Sequence, residues 1–294
     1  MNSLQRERWV DEVLAEVMMA LMHDEALCQA LIFKGARILN LHLKDSRQSM
    51  DIDATAEPAW ADAMGSLEAQ EAFLDGRLAR AVQQHFESHD PVRFTLENAK
   101  ISRRPSNHHP RGWDMLCASL LVKDHSKAHM RSLPAIELEI SAVESYGSDA
   151  VEQRNFLGVS ANVYALHRIA GEKLRAYLTS LPEYRAKMHG GTREFRVKDL
   201  HDLARIVRHR PLTDTKFWLK AMQEFRLACE SRLVDCSDPE TFKQAWAQAR
   251  QRYEQDAHLI PIPFEEVEVA LDGILTLFSA KGVFPLLFPL VPEN

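Results

Sequence analysis

The chain has 294 residues, 36 Lys+Arg against 42 Asp+Glu, a formal net charge of −6 and 46% hydrophobic residues. That length carries one large or two ordinary domains with a real core, and the acid excess excludes a chain built wholly to coat nucleic acid. Four scattered cysteines (Cys28, Cys117, Cys229 and Cys236) make neither zinc-finger spacing nor a disulfide framework, so a reducing, cytoplasmic compartment is expected.

Val10, Val13, Leu14, Val17, Met18 and Leu21 recur at helical spacing, and Asp11, Glu12 and Glu16 interrupt the apolar core that a signal peptide needs. Asp24 is placed to cap a second short helix ending near Phe33, residues 36–43 predict another, and 48–54 a short extended segment. Trp60 to Phe86 reads as helical. Val92–Ile101, Met115–Lys123 and Ala135–Val143 then alternate or cluster apolar residues over strand lengths, with a loop by composition at 103–112 and a further loop at 147–154. Beyond them helices are expected at 165–180, 196–209, 215–234, 239–255 and 264–280. The chain thus divides into a mixed α/β domain, residues 1–160, and an all-helical domain, residues 161–294. The apolar run 283–291 is interrupted by Pro285 and Pro289 and is far short of the ~20 residues of a membrane span. It packs on the body of the protein or offers a surface to a partner.

Asp51 and Asp53 stand at i and i+2, so on a strand both carboxylates share one face with Ile52 turned inward. Such a pair either ends a solvated strand or holds a hard divalent cation together with phosphate oxygens. Glu137 and Glu139 repeat the pattern among Ile136, Leu138 and Ile140, which suits either an edge strand with a wet face or a third acid for the same site. Gly35 opens a helix, where backbone N–H groups favour anions. Lys173 falls on the stripe of Leu166, Ile169, Ala170 and Tyr177, so it either snorkels or faces something anionic; Glu172 and Arg175 read as solvent-facing. Asp199 lies near the apolar face of Leu203 and Ile206 and needs a cation, which Lys173 or Lys198 supplies. His108, His109, His125 and His129 have no nearby cysteine pair and are attributed to chance rather than zinc. Residues 185–210 carry +5 (eight basic, three acidic) and 100–131 also +5 (seven basic, two acidic), which leaves −16 for the rest and suits one basic face for phosphates.

These residues carry a resemblance. Lys34-Gly35 at a short helix, Arg47-x-Ser49-x-Asp51-x-Asp53 on a strand, Glu172-Lys173-Leu174-Arg175-Ala176 in a helix and Lys198-Asp199-Leu200-x-Asp202-Leu203 in the next resemble the AbiE-type (AbiEii-like) nucleotidyltransferase toxins. These are the toxins of type IV toxin–antitoxin systems, in the polymerase-beta-like nucleotidyltransferase superfamily. Order and approximate spacing match over about residues 30–205; the last ninety residues are similar only in being helical.

The resemblance implies an α+β fold: a polymerase-beta-like nucleotidyltransferase domain with a mixed sheet, followed by the helical domain. It implies a metal-dependent nucleotidyltransferase that moves NMP from an NTP to a tRNA 3′ end or a protein hydroxyl, with Mg²⁺ or Mn²⁺ and a cognate antitoxin. Asp51, Asp53 and Glu139 (Glu137 as the lesser choice) would be metal ligands, Glu139 also activating the acceptor. Lys34, Gly35, Ala36, Arg47, Ser49 and Lys173 would bind the nucleotide, with Lys173 facing the triphosphate and Asp199 supporting it within ion-pair reach. The family's Lys-Gly-Gly-Thr/Ser is here Lys34-Gly35-Ala36-Arg37, and its usual third Asp is Glu. Those departures suit altered nucleotide choice, or the alternative reading of a degenerate fold that binds RNA or a partner without catalysis.

Overall fold

The computed structural model describes residues 3–44, 49–106, 113–127, 133–156, 158–182, 184, 195–256, 259 and 261–288. The chain divides into two compact units: Met1–Val143 with Val151–Tyr164, and Glu144–Ala150 with Ala165–Asn294.

The first unit is built on a mixed sheet. Its strands are β1 (Leu31–Lys34), β2 (Asp51–Ala56), β3 (Phe94–Arg104), β4 (Met115–Asp124), β5 (Ile136–Ser141), β6 (Val151–Phe156) and β7 (Val159–Tyr164). They form a seven-stranded sheet in the order β3-β4-β5-β2-β1-β7-β6. β1 runs parallel to β7 and β2 parallel to β5, while the other pairings are antiparallel. Helix α1 (Ser3–His23) buries Val10, Val13, Leu14, Val17, Met18 and Leu21, the residues whose spacing predicts it. Asp24 caps α2 (Glu25–Ala30) by accepting from the Leu27 amide at 3.0 Å. That helix stops at Ala30, and Leu31–Lys34 forms a central strand instead of the expected helical end. A four-residue apolar run has no periodicity by which to tell a buried strand from a helix.

α3 (Gly35–Leu43) follows β1 directly. The helical stretch expected at 60–86 is two helices, α4 (Pro58–Met64) and α5 (Leu67–Glu87). Gly65 ends α4 at φ 72° and the Ser66 hydroxyl accepts from the Ala69 amide to start α5. Residues 151–154, expected in a loop, belong to β6, an edge strand with no buried residue whose polar run Glu152–Asn155 hides its strand character.

The second unit is helical: α6 (Leu166–Thr179), α7 (Val197–His209), α8 (Thr215–Ser231), α9 (Trp246–Gln255) and α10 (Phe264–Ala280). The helix expected at 239–255 is a 3₁₀ turn, Pro239–Lys243, then α9, with Ala245 at φ 54° between them. α6 and α8 touch through Gly171, where a Cβ would stand 2.6 Å from the Phe225 amide nitrogen. Beside that contact Arg168 is fully buried, donating to Glu224 at 3.2 Å, Glu144 at 3.1 Å and the Ser145 carbonyl at 3.2 Å. Glu172 and Arg175, expected to face solvent, are drawn into this network, 3.5 Å from Arg168 and 3.6 Å from Glu144. Of the apolar C-terminal run, Val283 and Leu286 are buried, Leu287 is exposed and 289–291 lie outside the described residues. Among the described residues no helix is long and apolar enough to cross a membrane.

Arg168→Met is expected to cost about 3–5 kcal/mol, because it leaves the Glu224 carboxylate buried without its guanidinium. A urea midpoint unchanged from the parent chain would contradict this.

Candidate active site

The acidic face of the first unit comes from the register of two parallel strands. Asp51 lies opposite Glu137 and Asp53 opposite Glu139, with Ile52 and Leu138 paired between them. Ile52, Leu138 and Ile140 are buried, which turns all four half-buried carboxylates to the other side of the sheet. Neighbouring strands lie about 4.8 Å apart, so these like charges are placed side by side.

Three features meet that repulsion. Arg104, at the end of β3, reaches Glu139 at 3.3 Å and Glu137 at 3.5 Å. Ser49, largely buried, donates its hydroxyl to Asp51 Oδ1 at 2.9 Å and to the Asp51 carbonyl at 3.1 Å. Gly35 brings the first turn of α3 against Asp53: it sits at φ 73°, and a Cβ there would stand 1.9 Å from Asp53 Oδ2. Only glycine meets both demands, the left-handed backbone and the missing side chain. A carboxylate beside a helix N-terminus is also favoured electrostatically.

The other sequence-predicted residues of this unit fall around the same strand ends. Lys34, opposite Asp53 in the β1–β2 register, holds its ammonium 5.6 Å from the centre of the Tyr164 ring. Ala36 is buried in the first turn of α3. Arg37, where the resemblance leads one to expect a hydroxyl, turns to α1 and pairs with Asp11 at 2.7 Å. Arg47 lies outside the described residues, as do His108, His109 and His129.

The second unit holds the lysine and its partners. Lys173 is buried on α6 and lies 2.9 Å from Asp199 and 2.6 Å from Asp202, both buried on α7. Asp199 also binds Arg196, and Asp202 binds Arg205 at 3.0 Å. Lys198, the other cation considered for Asp199, instead approaches Asp256 at 3.8 Å. Burial pushes the Asp199 carboxyl upward, and the Arg196 and Lys173 charges more than offset it, holding it below the usual carboxylate range.

Two partners were given no role by the sequence reading. Asp202 follows Asp199 by three residues, one turn on the same face, a spacing that would have named it. Arg104 left no such signal, because its place depends on the β3–β4 register, in which it pairs with Met115.

The sequence matches, over residues 17–272, the family described as Nucleotidyl transferase AbiEii toxin, Type IV TA system. Among curated proteins none matches. A protein of H. pylori assigned as a nucleotidyltransferase shares the fold at TM-score 0.52 and 15% identity, covering 96% of this chain and 97% of its own. MenT4, a nucleotidyltransferase toxin of Mycobacterium tuberculosis, aligns at TM-score 0.45 and 14% identity over 94% of this chain and 93% of its own.

Gly35→Ala is expected to cost ~1–3 kcal/mol in unfolding experiments, since it combines left-handed strain with displacement of the Asp53 carboxylate. Unchanged stability would mean that Asp53 does not hold this position. The depressed Asp199 carboxyl contributes stability that is complete above its ordinary value of 3.8 and is lost as pH falls through its lower folded-state value. Denaturant titrations should therefore show Asp199→Asn less stable than the parent at pH 7 but losing less on acidification below pH ~4. Parallel losses for both chains would contradict the pairing.

Proposed function

The chain belongs to the AbiEii nucleotidyltransferase toxins of type IV toxin–antitoxin systems, and on that premise we propose that it moves a nucleoside monophosphate from an NTP to a hydroxyl acceptor in the cytoplasm. The acceptor is an RNA, with the 3′ end of a tRNA foremost, or a protein hydroxyl. A cognate antitoxin is the partner that the type IV designation implies.

The observation that carries this reading is the alignment of Asp51 and Asp53 with Glu137 and Glu139 on one face, with Gly35 closed against Asp53. This donor set fits Mg²⁺ or Mn²⁺: hard carboxylate oxygens from one or two side chains, completed by substrate phosphates. Asp51 and Asp53 would hold the ion, with Glu139 as a further ligand. When bound, the metal supplies positive charge at the attacking and leaving oxygens.

In the reaction an acceptor oxygen bonds to the α-phosphorus and the bond to the β-phosphate oxygen breaks, releasing pyrophosphate. Glu139 receives the proton that the acceptor hydroxyl loses. Gly35 and Ala36 offer backbone N–H groups to the phosphates, and Lys34 and Arg47 are the basic residues assigned with them to bind the nucleotide. Ser49 holds Asp51 in orientation through the 2.9 Å hydrogen bond. Lys173 is the residue that the family resemblance assigns to the triphosphate, and within its own unit Asp199 and Asp202 fix its position. Arg104 balances the charge of Glu137 and Glu139.

The test is incubation with each α-labelled NTP, Mg²⁺ and total RNA, beside a control without RNA that reveals self-modification. Asp51→Asn and Asp53→Asn are expected to abolish label transfer while leaving the fold intact. Glu139→Gln should lower the rate by about 100-fold or more, the usual worth of a general base, and Glu137→Gln by much less. Transfer retained in either Asp variant contradicts the assignment, and a reversed order of the Glu variants moves the base to Glu137. Arg37, tied to Asp11 instead of presenting a hydroxyl, favours one second reading, a binding module without catalysis. That reading, in which an RNA or a partner protein is bound, gives neither Mg²⁺-dependent NTP binding nor transfer to any acceptor.

A further inference from the structure

Two groups of three metal-type side chains come within 4.8 Å of one another among the described residues: Asp149, His167 and Glu224, and Glu16, His85 and His89. The first is already occupied by protein cations, since Lys220 binds Asp149 and Arg168 binds Glu224. The second has a different chemistry and lies in the first unit, at the C-terminal end of α5 where it packs on α1.

His85 and His89 stand four residues apart and so share one side of the chain end, while Glu16 faces them from α1. Glu16 Oε2 lies 2.8 Å from His85 Nε2 and 3.5 Å from His89 Nε2. In a tetrahedral zinc site with bonds of about 2.0–2.1 Å, neighbouring ligand atoms stand about 3.3 Å apart. The two observed separations bracket that value.

The hydrogen bonding also prepares a ligand. His89 Nδ1 lies 3.0 Å from the His85 carbonyl oxygen, which can only accept, so Nδ1 carries the proton. In the neutral ring this leaves a lone pair on Nε2, the atom turned to Glu16. A backbone carbonyl that fixes the tautomer of a ligating histidine is the usual outer-shell arrangement of zinc sites. The ring of His89 lies 5.0 Å from that of His85, so two imidazoles gather at the Glu16 carboxylate.

We propose that Glu16, His85 and His89 form a binding site for a borderline divalent transition metal, zinc foremost, distinct from the carboxylates of β2 and β5. The ion takes two imidazole Nε2 atoms and one carboxylate oxygen, with water in the fourth position. His85 gives up its hydrogen bond to Glu16 by moving its proton to Nδ1, so a neutral ring loses no proton. The site links α1 to the end of α5 and stabilises the folded chain by an amount that rises with the logarithm of metal concentration once that exceeds the dissociation constant.

The test uses the full chain stripped with chelator and dialysed against Co²⁺ or Zn²⁺, with bound metal and the visible absorption of four-coordinate Co²⁺ measured. The parent chain and the Asp51→Asn/Asp53→Asn double variant should each retain one equivalent and show the same spectrum. Glu16→Gln and His89→Ala should weaken binding by at least the roughly 10–100-fold that losing an outer-shell partner costs. His89 is 46% exposed at its side chain, so its replacement leaves the fold intact, which circular dichroism checks. Zn²⁺ should raise the melting temperature of the parent but not of His89→Ala. Failure of the parent to retain Co²⁺ or Zn²⁺, or equal retention by His89→Ala, overturns the proposal.

Discussion

The parallel register of β2 with β5 is the constraint on which the first unit turns. Ile52 and Leu138 must both be buried, and once they are paired Asp51 has to face Glu137 and Asp53 has to face Glu139. Four acids on one face of two adjacent strands carry a repulsive cost that a purely structural sheet would avoid. The fold keeps the arrangement and surrounds it with compensation: Arg104 from β3, the Ser49 hydroxyl, and the first turn of α3 brought close by Gly35. A carboxylate face retained against its own electrostatics is a reasonable mark of a site that takes cations and phosphates.

The second unit meets buried charge differently. Lys173 is enclosed by two aspartates, and each of those is shared with an arginine, so neither the lysine nor either aspartate depends on a single partner. Arg168 repeats the design with Glu144 and Glu224. Such networks are weak sources of net stability, because desolvation offsets most of the attraction, but breaking one is costly. Their effect is to fix geometry. Asp199 and Asp202 together hold the Lys173 ammonium in one place within its unit.

Much of this was legible from local pattern. The alternation in Ile136–Ile140 placed both glutamates on one face, and the apolar stripe of α6 marked Lys173 as a lysine out of place. What stayed hidden was set by tertiary register. Leu31–Lys34 is too short to show a period, and β6 hides behind edge-strand polarity. Arg104 meets Glu139 only because β3, β4 and β5 are laid side by side. Glu172 and Arg175 looked solvent-facing because nothing local reveals that Arg168 and Glu144 lie beside them.

The central claim is that the face of Asp51 and Asp53 receives a metal-bound triphosphate. Calorimetric titration with a non-hydrolysable NTP analogue addresses it without depending on the acceptor. The parent chain should bind the analogue in Mg²⁺ and not in chelator, and Asp53→Asn should lose that binding while its far-ultraviolet circular dichroism is unchanged. Equal, Mg²⁺-independent binding by the parent and the variant would contradict it.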